Sequence, residues 1–153
     1  MIYRYQISKQ ADAVLALTLF QEDFDKETAR RTVEYYDKVT THDSSLSYST
    51  FSIAYSRLAE LDKGYRYFLE NARMDLDNLH HNTKDGIHTA SMGGTFMALI
   101  YGFCNLTIQE DHLHLEPNLL KQIKELCIPT YFKGNKFLLH VTQKGCAPSF
   151  NFF

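Results

Sequence analysis

Apolar residues recur at the spacing of a helix face five times in the first hundred positions and then change to strand-like alternation. That change of period constrains the fold more than any other feature of the chain. Ala11, Val14, Leu15, Thr18 and Leu19 fall at i, i+3, i+4, i+7 and i+8, which predicts a helix near 8–21. Ala29, Val33 and Tyr36 predict a second near 26–37, with Asp25 placed to cap it. Phe51, Ala54, Tyr55 and Leu58 mark a third near 47–61. Tyr65, Phe68, Leu69, Ala72 and Leu76 mark a fourth near 63–77, for which Asp62 is the candidate cap. Met92, Phe96, Leu99, Ile100 and Phe103 mark a fifth near 91–103. Leu106 with Ile108, Leu113 with Leu115, and Phe137, Leu139 and Val141 then alternate with polar residues as strands do. Lys133-Gly134-Asn135 reads as a hairpin loop after a strand near 126–132.

Helices joined by alternating short and long connections suggest stacked helical hairpins followed by a small β portion, a mostly α chain. The long connections, 38–47 and 78–91, hold the densest polar chemistry, and functional groups favour loops on a rigid scaffold. With 153 residues the chain has the size of one domain. A net charge of -2 excludes the basic surface that tracks nucleic-acid phosphates. Ten Tyr and eleven Phe at helical spacing are core material before they are sugar platforms. Cys104, Cys127 and Cys146 form no CxxC pair or metal-like cluster in sequence, and so sparse a set fits a reducing compartment. The opening MIYRYQISKQ lacks a signal-peptide apolar run, and no segment has the apolar length of a membrane helix, so a cytoplasmic protein is expected.

Three polar constellations stand out. Thr40-Thr41-His42-Asp43-Ser44-Ser45-Leu46-Ser47 packs hydroxyls, an imidazole and a carboxylate into eight residues; helix capping by Ser or Asp explains one or two of them. Asp85-Gly86-Ile87-His88-Thr89-Ala90-Ser91-Met92-Gly93-Gly94-Thr95 runs His, Thr and Ser into a helix start. Free amides and the positive dipole end suit an anion there. Gly93 and Gly94 permit either close ligand approach or close helix packing, and Ser91 either binds or caps. Ser8-Lys9-Gln10-Ala11-Asp12 offers donors and an acceptor for sugar hydroxyls, although such a pair is ordinarily solvated surface. His112 and His114 share a strand face but lack a third metal ligand of suitable spacing, and His80-His81 reads as loop surface.

In this order the constellations resemble glycoside hydrolase family 65, which contains maltose, kojibiose, nigerose and trehalose phosphorylases. The matching stretches are Lys9–Asp12, Tyr35-Tyr36, Thr41–Ser47, Ala72-Arg73-Met74-Asp75-Leu76-Asp77 and Asp85–Thr95. The resemblance implies that 1–104 is the C-terminal part of an (α/α)6 catalytic barrel, and 105–153 a small, incomplete antiparallel β-sandwich portion. It implies that Lys9 and Gln10 bind the glucosyl substrate, and that Ser44, Ser45, His88, Thr89 and Ser91 surround inorganic phosphate.

The implied reaction is phosphorolysis of an α-linked, maltose-type glucose disaccharide with inversion, phosphate attacking the anomeric carbon to give β-glucose 1-phosphate. Phosphate is the co-substrate, and no metal or organic cofactor is implied. No acidic residue here matches the family's general acid, so the isolated chain is expected to be inactive, with apolar helix faces left exposed. The parent enzyme is expected to be a homodimer that needs no membrane or nucleic acid. A trehalase-like hydrolase of the same family, or a non-catalytic binding or assembly module, are the alternatives.

Overall fold

A computed structural model describes residues 5–149. Five α-helices come first: α1 (Asp12–Leu19), α2 (Lys26–Val39), α3 (Ser45–Arg57), α4 (Leu61–Ala72) and α5 (Thr89–Met97). A π-helical segment, Ala98–Phe103, continues α5. A hairpin of β1 (Leu106–Gln109) and β2 (His112–Leu115) follows. An antiparallel sheet in the order β3 (Glu125–Phe132), β4 (Asn135–Thr142), β5 (Gly145–Ser149) completes the described chain. Among the described residues no helix is long and apolar enough to cross a membrane. Residues 150–153 lie outside the described residues.

The central element is α3, buried at every position from Ser47 to Ser56. It presents serines and threonines where a core helix ordinarily presents aliphatic side chains. Burial is tolerable because most of their hydroxyls are satisfied, Ser56 excepted: Ser49 and Thr50 donate to the Leu46 carbonyl (3.3 and 3.1 Å), and Ser52 to Gly64 O (2.9 Å). Small side chains also let neighbours approach closely. A Cβ on Gly94 of α5 would lie 2.6 Å from Ser49 Oγ, and one on Gly64 of α4 2.5 Å from Ser56 Oγ. Phe51, Tyr55, Tyr67, Val14, Val33 and Met74 complete a core around α3. A second cluster joins Phe103 and Cys104 to Leu106, Ile128, Leu139 and Val141 and is continuous with Phe68 and Leu99 of the helices.

Helix ends differ from the sequence expectation in ways that have physical reasons. Asp25 caps α2 as expected, accepting from Thr28 N at 2.9 Å. Asp62 does not cap α4, because that helix starts at Leu61, two residues earlier than expected, and Glu60 occupies the cap position, its carboxylate held by Arg30 and Lys63. Helix α4 stops at Ala72 instead of running to 77; Leu76 is 79% exposed and extends no core stripe. The chain turns there through Asp77 N to Arg73 O (2.8 Å) and Leu79 N to Met74 O (3.0 Å). In the sheet, Lys133 and Gly134 both take positive φ (49° and 80°) between paired Phe132 and Asn135, the geometry of a tight two-residue hairpin turn. Strand β5 has no counterpart in the sequence reading. Pro129 and Pro148 fall on the two edge strands, where a missing N–H breaks no ladder between neighbours on both sides.

Candidate functional site

The segment before α1 is stitched to the end of α2. Ser8 N donates to Val39 O and Thr41 N to Ser8 O, both at 2.8 Å, in a short parallel bridge between Ser8 and Thr40. Ser8 Oγ then donates to Gln10 O at 2.7 Å, turning the chain into the helix. Lys9 and Gln10 therefore stand exposed beside the mouth of the 40–45 loop, though sequence places them thirty residues away.

Within that loop His42 adopts a left-handed backbone (φ 57°), uncommon outside glycine, that redirects the chain from α2 into α3. Its ring is clamped by Phe51 and Tyr67, with centroids 5.0 and 5.3 Å away, and its Nδ1 lies 3.0 Å from Ser47 Oγ. Beneath it Asp37 accepts from both Tyr55 (2.7 Å) and Tyr67. Burial first, and these bonds to Asp37 second, push both phenols well above their ordinary range. Burial also pulls the His42 imidazole below its usual value, against the opposing charge of Asp37, so the ring is neutral near pH 7. Ser44 occupies the cap position of α3, but its hydroxyl makes no cap bond; Ser47 N and Oγ instead bond to the Ser44 carbonyl. The Ser44 and Ser45 side chains are half-buried at the rim.

The second loop is set by Asp75, just beyond α4. One carboxylate oxygen accepts from the His88 backbone N–H (2.8 Å), and the other lies 2.6 Å from His88 Nδ1. Those bonds hold the Asp75 carboxyl below the usual carboxylate range. They also commit Nδ1–H to Asp75, leaving Nε2 facing Asn82 Nδ2 at 3.3 Å. Thr89 and Ala90 are exposed at the start of α5, whereas Ser91 is 2% exposed and sits inside the first turn, so it is not a cap. Ser91 Oγ donates to Ser45 O at 3.3 Å, and its carbonyl accepts from Asn71 Nδ2 at 2.7 Å.

That Ser91–Ser45 contact brings the two hydroxyl-rich loops to one end of the helical stack, with the Lys9-Gln10 turn bridged to the same edge. Gly94 is committed to helix packing, while a Cβ on Gly93 would meet open space. The sequence reading assigned no role to Asp75, Asn71, Asp37 or Tyr67; two carboxylates spaced within Ala72–Asp77 near a His-rich loop are the only linear hint. His80 is not loop surface: it is half-buried against Tyr48, with centroids 5.9 Å apart. His114 pairs with Glu116 at 3.2 Å. Cys127, without a metal-like partner in sequence, lies beside His140 and Glu125 in the sheet.

Residues 1–97 match the model of the glycosyl hydrolase family 65 central catalytic domain. The chain belongs to glycosyl hydrolase family 65. The α,α-trehalose phosphorylase of Geobacillus stearothermophilus is 49% identical over 94% of this chain, and the maltose phosphorylase of Bacillus subtilis 33% identical over 94%. A solved human-microbiome structure assigned as a kojibiose phosphorylase superposes with a TM-score of 0.84 at 33% identity, covering 93% of this chain. The chain spans 19% of the length of each of these two curated relatives and 21% of the solved chain. The family 65 match ends with the last residue of α5 and so contains every candidate site residue; the sheets lie beyond it.

Proposed function

We propose that this chain forms the phosphate-holding edge of a disaccharide phosphorylase catalytic unit, in which inorganic phosphate is positioned beside a glucosyl ring. The supporting observation is the convergence of the two loops, Ser91 Oγ against Ser45 O at 3.3 Å, beside the exposed Lys9-Gln10 turn. Lys9 and Gln10 supply donors and an acceptor to the sugar hydroxyls. Ser44, Ser45, Thr89 and His88 surround the phosphate. Ser91, buried in the seam, fixes the spacing of the loops.

Phosphate is an anion near neutral pH and must be both neutralised and aimed. The His88 ring does the aiming: Asp75 fixes it through Nδ1, and Nε2, which faces the Asn82 amide, is the ring atom left to meet the phosphate. Attack on the anomeric carbon from the face opposite the leaving oxygen inverts the configuration and gives β-glucose 1-phosphate. The general acid that protonates the leaving oxygen belongs to the remaining four-fifths of the enzyme's length, as do most contacts to the second sugar. The helices read as part of an (α/α)6 barrel over 1–104 and the sheets as the start of a β-sandwich over 105–153, in a cytoplasmic homodimer. The chemistry calls for no organic cofactor. Trehalose displaces maltose as the first substrate to test, because sequence identity to the trehalose enzyme is the higher.

A chimera tests this. This chain replaces the matching segment of the Geobacillus trehalose phosphorylase, and release of β-glucose 1-phosphate is measured from trehalose, kojibiose and maltose. Phosphate-dependent release that His88→Ala lowers by at least about 100-fold, the loss of a charge-assisted contact made in the transition state, is expected. Phosphate-independent release of glucose points instead to the hydrolase alternative. Normal phosphorolysis in the His88→Ala chimera overturns the site.

A further inference from the structure

We propose that Glu125, Cys127 and His140 form a binding site for a zinc-class divalent ion on the outer face of the three-stranded sheet. The site is separate from the phosphate loops and independent of the reading given to them. Strand register creates it. Cys127 is directly paired with His140 across β3 and β4, and Glu125 lies two residues before Cys127, hence on the same face. The opposite face carries Leu126, Ile128, Leu139 and Val141 into the core. The backbone that aims the three donors is therefore anchored by the second hydrophobic cluster.

The three donor atoms all lie within 4.8 Å of one another, and His140 Nε2 is 3.0 Å from Glu125 Oε2. Tetrahedral zinc has bonds of about 2.0–2.2 Å to nitrogen and oxygen and about 2.3 Å to sulfur, so neighbouring donors stand about 3.3–3.6 Å apart. One pair already falls inside that distance, and the thiol closes the rest by about 1 Å through side-chain rotation. Glu125 and Cys127 are exposed, and Cys127 is engaged in no disulfide, so nothing opposes that rotation. The fourth position faces solvent and takes a water. Thiolate with imidazole selects zinc-class ions over magnesium and calcium, which prefer all-oxygen sites. Binding replaces the S–H bond with a metal–sulfur bond and releases that proton to solvent, so affinity rises with pH. Occupancy pins edge strand β3 to β4 and shields the thiol from oxidants.

The test uses the full 153-residue chain, stripped with a chelator and titrated with Zn²⁺ against a chromophoric competitor. One ion per chain is expected. Affinity should fall by at least about tenfold in Cys127→Ser and in His140→Gln, and less in Glu125→Gln. Co²⁺ in place of Zn²⁺ should give a thiolate charge-transfer band that Cys127→Ser abolishes, and Zn²⁺ should slow alkylation of Cys127 as read by peptide mapping. These three substitutions are on an exposed sheet face, so circular dichroism should show the fold unchanged. Saturable binding kept in both Cys127→Ser and His140→Gln places the ion elsewhere and overturns the proposal. So does the absence of saturable binding by the parent chain, in which case His140 and Glu125 are a surface hydrogen-bonded pair beside an unrelated thiol.

Discussion

Asp75 governs His88 through two bonds at once, one to the backbone and one to the ring, and this makes it the most testable residue in the molecule. Asp75→Asn keeps the size but points an amide donor at Nδ1. The ring should then change tautomer and lose its anionic support. Phosphate affinity should fall by about 10- to 100-fold, the weight of one charge-assisted hydrogen bond of about 1.5–3 kcal/mol. Titration of the chain with phosphate reads the affinity, and nitrogen NMR of His88 reads the tautomer; an unchanged tautomer would detach Asp75 from the site even if binding weakened. His42 poses the opposite electrostatic case. Its folded-state pKa lies below the unfolded value of 6.5 because burial disfavours the cation. The unfolded chain therefore takes up this proton first as pH falls. The stability that the neutral ring contributes is complete above 6.5 and is lost as pH drops from there to the folded value. The melting temperature should decline on acidification from pH 7 to 5.5, and His42→Gln should flatten that decline, because an amide still reaches Ser47 and does not titrate. An equal slope in both proteins would show that His42 is solvated.

The α3–α5 contact turns on adjacent glycines with opposite fates. A Cβ on Gly94 would lie 2.6 Å from Ser49 Oγ and 2.7 Å from Ser49 Cβ; rotating the hydroxyl away leaves the second clash in place. Gly94→Ala should cost about 1–3 kcal/mol by overpacking and pull the Ser91–Ser45 seam apart. Gly93 meets nothing within 4 Å, so Gly93→Ala should gain about 0.5–1 kcal/mol of helix propensity, read by chemical denaturation. If it also weakens phosphate binding, the space over Gly93 is ligand space. Sequence period alone gave the existence and order of all five helices, because each carries an apolar stripe. It misjudged α3, whose burial on every side rests on small hydroxyl side chains, most of which bond to carbonyls, and no pattern of period 3.6 signals that. It ran α4 past Ala72 because Leu76 keeps the spacing although the chain turns under it. Strand β5 escaped because Ala147 and Pro148 break the alternation of Gly145–Ser149. The site was legible as two rich loops and a short turn. Their convergence was not, since it depends on the Ser8–Thr40 bridge and on Asp75 reaching thirteen residues along the chain.

At the scale of the whole molecule, the apolar stripes that failed to become core are themselves informative. On α1, Val14 and Leu17 are buried while Leu19 is 64% exposed; on α5, Met92 and Phe96 are 53% and 57% exposed. Both helices pack on α3, so these are their outward sides. A monomer rarely keeps so many large apolar side chains in water. The chain covers only 21% of the solved relative on which it superposes, and under the proposed barrel reading further helices of that unit would cover these faces. Without them the chain should cover the faces by associating with itself. Sedimentation velocity should show mass rising with concentration in the micromolar range. Leu19→Lys with Phe96→Glu should restore a monomer without loss of helical signal, since neither side chain supports the core. A chain that stays monomeric at every concentration would mean that these residues are ordinary scattered surface, and the link between the exposed stripes and missing barrel neighbours would fail with it.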